Sequence, residues 1–143
     1  MKHPIILAAL LAFAFSGLNA CSKKEEAAVP EAPQLSKGVG PVTSVALGPV
    51  DAARAAKGKQ LFESKCAACH KLDEKYVGPA IKGVTQRRSP EWIMNMIMNP
   101  QEMTEKDPTA RELLATYFTQ MTFQNVTQDE ARDILEYFRK TDE

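Results

Sequence analysis

Histidine and cysteine, the residues that most often build metal centres, are scarce here. The chain has 2 His and 3 Cys in 143 residues. Net charge is absent: 18 Lys+Arg balance 18 Asp+Glu. That balance removes the whole-molecule electrostatic case for binding nucleic acid. Long apolar runs are missing too. The longest, Pro4 to Phe15, has 12 residues, whereas a bilayer-spanning helix needs about 20. There is no stretch of clean apolar/polar alternation, so strands are poorly signalled, and there is no internal repeat. Three cysteines cannot all pair in disulfides, and the odd one needs a reason. What is present is ordinary for a globular chain, 44% hydrophobic and 25% charged, which excludes disorder throughout. The length suits one modest domain with extensions.

Residues 1–20 read as an address. Lys2 and His3 precede the apolar run, whose length is that of a signal-peptide core. A buried N-terminal helix is the alternative. Leu18-Asn19-Ala20-Cys21 resembles the bacterial lipobox. The resemblance implies that the Cys21 thiol is lipidated and the chain cut just before it. It also implies a bacterial cell-envelope location, lipid-anchored and facing the periplasm. Ser22 favours the outer membrane over the inner by the same resemblance, and simple cleavage leaving a free thiol is the competing reading. Residues 21–50 carry four prolines and three glycines with no apolar period. They read as a flexible tether behind the lipid anchor, with a loop packed on the domain as the alternative.

The remaining domain, 51–143, shows helix signals. Asp51 can cap a helix over 52–65. Ser89-Pro90 is an N-cap followed by proline at the first helical position, and that helix, 91–98, stops before Asn99-Pro100. Asp107-Pro108 starts another that reaches about Phe118. Thr127 and Glu130 form a capping box for a last helix over 128–140, which sets Ala131, Ile134, Leu135 and Phe138 on one face. The expectation is an all-α domain of about four helices with long loops.

Cys66-Ala67-Ala68-Cys69-His70 carries the chemistry. Two thiols three residues apart point the same way on one helical turn. They can add across the two vinyl groups of one haem, and His70 then sits under the ring to ligate iron. This is the c-type attachment pattern. A thioredoxin-like C-x-x-C would need a βαβ context that is not signalled. A zinc site would need four ligands, and the domain offers three soft ones. A single covalent haem c also supplies the centre that a domain of this size otherwise lacks.

Across nearly all of 51–143 the chain resembles the monohaem class I cytochromes c. Gly58-x-x-Leu61-Phe62 ahead of the haem motif matches the family's first helix. The resemblance implies that the last helix crosses closely at Gly58 and brings up Ile134 and Tyr137. Val77-Gly78-Pro79 matches as well and implies that the Pro79 carbonyl accepts the second ring N–H of His70, a partner a metal-bound histidine needs. Gly83-Val84 and Trp92 fall where the family lines the haem pocket, with simple core packing the alternative for Trp92.

The sixth iron ligand has five sulfur candidates. His3 lies in the leader, so His70 is the only histidine of the domain. Met94 and Met98 are i, i+4 on one helix and read as core. Met96 points elsewhere on that helix. Met121 lies between the third and fourth helices, where the resemblance places the axial methionine. Met103, or an open or lysine-ligated iron, is the alternative. His/Met ligation saturates the iron and suits electron transfer. The implied function is a non-enzymatic, single-electron carrier. Its redox partners would be proteins such as a quinol-oxidising complex and a respiratory terminal reductase or oxidase, with the lipid membrane held through Cys21. A haem peroxidase or gas sensor with an open sixth site is the alternative. The neutral total hides an asymmetry: residues 57–88 hold eight basic against three acidic side chains, and 101–143 hold five against ten. The basic segment surrounds the haem motif.

Overall fold

The computed structural model describes residues 35–143. The expected leader, Cys21 and the first part of the tether lie outside the described residues. Six helices follow: α1 (Ala52–Lys65), α2 (Val84–Arg87), α3 (Pro90–Met98), α4 (Pro100–Lys106), α5 (Pro108–Tyr117) and α6 (Gln128–Thr141). Among the described residues there is no strand. The all-α expectation holds, and the four expected helices are α1, α3, α5 and α6.

Two short helices were not expected. Asn99-Pro100 ends α3, yet proline also suits a first helical position, and α4 restarts there at once, with Asn99 serving both ends. The four-residue α2 is too short to show periodicity. It is capped from far away: the Asp142 carboxylate accepts from the Gly83 and Thr85 amides at 2.5 and 3.0 Å and from the Thr85 hydroxyl at 2.6 Å.

α1 crosses α6 in close contact, and Gly58 is the reason. A Cβ there would collide with the Asp133 carbonyl and lie 2.9 Å from the Ile134 amide nitrogen. The missing side chain lets the two backbones meet. Beside the crossing, Phe62 packs on Tyr137 and Phe138 with ring centroids 5.6 and 5.8 Å apart. α6 begins with the expected capping box, and Ala131, Ile134, Leu135 and Phe138 are all buried.

Within the expected tether, residues 35–50 follow the packed-loop alternative, and 21–34 lie outside the described residues. Residues 35–50 do not stand off the domain but form a strap across α3 and α6. Proline and glycine deny the strap any regular element, so side chains of the domain satisfy its backbone. Asn95 accepts from the Val42 amide and donates to the Val42 and Lys37 carbonyls. Glu91 accepts from the Val45 amide. Arg132 and Arg139 donate to the Ala46 and Gly48 carbonyls. Both arginines also hold Glu136, a fully buried carboxylate, at 2.6 and 2.7 Å.

Candidate functional site

The end of α1 runs into a turn that carries the two thiols. Amides of Cys69 and His70 both donate to the Cys66 carbonyl, and the Gly78 amide donates back to the Cys69 carbonyl at 2.9 Å. The turn places Cys66, Cys69 and His70 together on the wall of one deep cleft. Both cysteines are unpaired thiols. Burial raises the Cys66 pKa, with the charge of Lys65 working against it.

His70 is held from two sides. Its Nδ1 lies 3.1 Å from the Pro79 carbonyl oxygen. That oxygen only accepts, so Nδ1 carries the proton and Nε2 keeps its lone pair. Gly78 leaves room for the ring: a Cβ there would fall 2.5 Å from Cε1 and 2.8 Å from Nδ1 of His70.

Of the methionines, Met121 lines the cleft, supplied by the segment after α5. Met94 is core, as expected. Met103 is fully buried, and its sulfur accepts from the Val39 amide at 2.9 Å, which commits it to the strap. Met96 points away from Met94 and Met98, as expected. It too lines the cleft, because the face of α3 presented there runs through Trp92, Ile93, Met96 and Ile97.

Trp92 belongs to both the core and the cleft wall. It is 4% exposed and forms part of the cleft wall, but its Nε1–H donates to Asp107 at 3.0 Å and is not available to the cleft. Asp107 also accepts from Ser36 and caps α5 through Ala110. Burial pushes the Asp107 carboxyl up, yet these donors outweigh it and hold it below its ordinary value.

Sequence reading counted Arg87 and Arg88 in the basic segment around the haem motif without naming them as cleft residues. Both line the cleft. Arg87 donates only to the Lys82 and Ala80 carbonyls, and Arg88 to the Arg87 carbonyl, with its guanidinium 5.3 Å over the Trp92 ring. Neither is in an ion pair among the described residues. With Lys65 they make the cleft lining cationic, and no Asp or Glu lines it. An adjacent arginine pair just before an N-cap was the available signal.

The family model for cytochrome c matches residues 55–142. The chain belongs to the cytochrome c family. Its fold is similar to that of a cytochrome c from Rhodothermus marinus, 47% identical, with a TM-score of 0.70 over 71% of this chain and 89% of that one. It is also 34% identical over 60 residues to a cytochrome c-553-like protein of Synechocystis, of which the match spans 57%. It is 28% identical over 108 residues to cytochrome c2 of Rhodopseudomonas palustris, of which the match spans 94% and 58% of this chain. The cofactor of the family is covalently bound haem c, and the family makes this chain a haem-based electron carrier.

The cleft fits that cofactor. Its space, open mouth included, is ≈ 1410 Å³. Two thiols, an imidazole and two thioethers line it, and guanidinium groups outside any ion pair match the carboxylates a haem carries. A bare ion does not fit as well, because among the described residues no three His, Cys, Asp or Glu side chains converge as such a site would need.

Proposed function

We propose that this cytochrome c is a lipid-anchored carrier of single electrons on the periplasmic face of a bacterial envelope. It would take electrons from a quinol-oxidising complex or another cytochrome and donate them to a terminal reductase or oxidase. The observation that carries the reading is the pairing of a tautomer-fixed His70 with the Met121 thioether in one apolar cleft. Bound haem supplies a metal that changes oxidation state by one electron. Cys66 and Cys69 would hold it by thioether links, and His70 Nε2 and Met121 Sδ would ligate its iron. Pro79 fixes the imidazole, and Gly78 gives the ring its place. Trp92 and the apolar wall keep water off the site. Arg87 and Arg88 would offset the charge of the haem carboxylates. Among the residues lining the cleft His70 is the one histidine, and as an iron ligand it would leave none for acid–base work. That supports a carrier over a peroxidase. Among the described residues no helix is long and apolar enough to cross a membrane, and the membrane attachment proposed is the lipid on Cys21.

Two measurements test this reading. The purified holoprotein should show low-spin haem in both oxidation states and a reversible one-electron wave. High-spin iron that binds CO as isolated would favour the gas-binding alternative. In a detergent phase separation the wild type should partition with detergent, and Cys21→Ala should move it to the aqueous or uncleaved fraction. A wild type already in the aqueous phase would sink the anchor.

A further inference from the structure

The segment that carries Met121 has little backbone structure of its own. Among the described residues, no backbone–backbone hydrogen bond involves residues 119–126. Two left-handed residues bracket the methionine, Phe118 at φ 53° and Asn125 at φ 51°. Thr122, a residue that does nothing to fix the main chain, follows it. Yet Thr119, Gln120, Met121, Thr122 and Gln124 all line the cleft. Side chains must therefore hold this stretch in place.

Gln120 makes the tie nearest the sulfur. Its Nε2 donates to the Met121 carbonyl at 3.2 Å and to the Pro100 carbonyl at 3.4 Å. The Thr104 hydroxyl donates to its Oε1 at 3.0 Å. Pro100 and Thr104 are buried residues of α4. That helix is itself fixed. Met103 is wholly buried and its sulfur accepts from the Val39 amide, while Asn99 donates to the Val39 carbonyl at 3.3 Å. One side-chain amide thus joins the main chain of Met121 to a seated helix. The Thr104 hydroxyl also has the Pro100 and Gln101 carbonyls at 3.1 and 2.8 Å. Truncating Gln120 therefore leaves no polar group of α4 without a partner, and the loss falls on the methionine segment.

Resting on Met121 as an iron ligand, we propose that Gln120 is a positioning residue. With Thr104 and Pro100 it braces the Met121 main chain against α4 and so keeps the thioether on the iron. The brace acts through entropy: a tied segment has fewer conformations to regain when the sulfur lets go. The short helix α4, which the sequence did not announce, then has a task, as the base from which the ligand is held.

The test uses the ferric holoprotein and cyanide. Cyanide enters only after the sulfur leaves, so the limiting rate at saturating cyanide reads the opening of the Met121 position. Gln120→Ala should raise that rate roughly tenfold, as the loss of about two hydrogen bonds would. Its sulfur-to-iron charge-transfer band should also fade at a lower temperature, with the far-UV melt little changed. Thr104→Val should give part of the same rise. The double variant should exceed Gln120→Ala by nothing, because groups in one network are not additive. Gln101→Ala, exposed on the same helix, is the control and should match the wild type. An unchanged limiting rate in Gln120→Ala overturns the proposal. So does a lowered melt with no change in the band or the rate, which would make the residue merely structural, or full additivity with Thr104→Val. A band that survives Met121→Ala would defeat the ligand assignment, and the brace with it.

Discussion

The Val39 amide donates to the sulfur of Met103 over 2.9 Å, deep beneath the strap. A sulfur used this way, on a side chain with no exposure, is not free for iron. Three substitutions therefore separate by kind. Met121→Ala should remove the weak sulfur-to-iron charge-transfer band, lower the potential and let CO bind. Met103→Ala should leave the band and cost about 2–5 kcal/mol of stability, as core truncations do. Met96→Ala should keep the band with a smaller loss. A band lost in the Met103 variant and kept in the Met121 variant would overturn the ligand assignment.

The α1–α6 crossing is equally specific. Gly58→Ala puts a methyl group into the Asp133 carbonyl, and neither backbone can yield without parting the helices. The variant should lose about 1–3 kcal/mol, the usual cost of overpacking. Ala56→Gly, on the exposed side of α1, should cost about 0.5–1 kcal/mol by propensity alone. Thermal melts of the two holoproteins compare them directly, and equal losses would remove the close-approach argument.

Acid should loosen the strap first. Burial pushes Glu136 up, but hydrogen bonds from Arg139, Asp51 and Arg132 and the Arg139 charge outweigh it and hold its carboxyl below 4.5. Asp107 is likewise held below 3.8. A depressed folded-state pKa contributes stability above the unfolded value, and that contribution is lost as pH falls through the folded one. Stability should therefore be flat at neutral pH and drop below about pH 4.5. Glu136→Gln should flatten the drop, and denaturant midpoints against pH measure it. A slope unchanged by the substitution would assign the acid response to other carboxylates.

Approach to partners should depend on salt. Lys71→Glu with Lys75→Glu should slow electron transfer to an acidic redox protein several-fold at low ionic strength and leave the midpoint potential nearly unchanged. Stopped-flow rates across a salt series give the answer. A rate indifferent to both salt and charge reversal would place docking on another face.

Much of this molecule is legible in its residues. Ser89-Pro90, Asp107-Pro108 and the Thr127/Glu130 box mark helix starts that the structure reproduces. Cys66, Cys69 and His70 lie within five consecutive residues, so their meeting in one cleft needed no tertiary knowledge. That Met96 faces the cleft could not be read, because the heading of a helix depends on what it packs against. Arg87 and Arg88 were not read as cleft residues because α2 is capped by Asp142, 59 and 57 residues beyond Gly83 and Thr85. The strap was read as tether for a related reason. Its order comes from Asn95, Glu91, Arg132 and Arg139, and nothing within 35–50 announces those partners.

The crossing at Gly58 also sets an order of assembly. Joining α1 to α6 closes a loop of nearly the whole domain, Arg54 meeting Asp133 at a separation of 79 residues, so its entropy cost falls before any packing is gained. The strap waits longer still, because Arg139 can grip the Gly48 carbonyl, 91 residues away, only after α6 has docked. The strap is then the last piece to close and the first to open. In native-state hydrogen exchange, the Val42 and Val45 amides should exchange through a cheaper opening than the amides of α1 and α6.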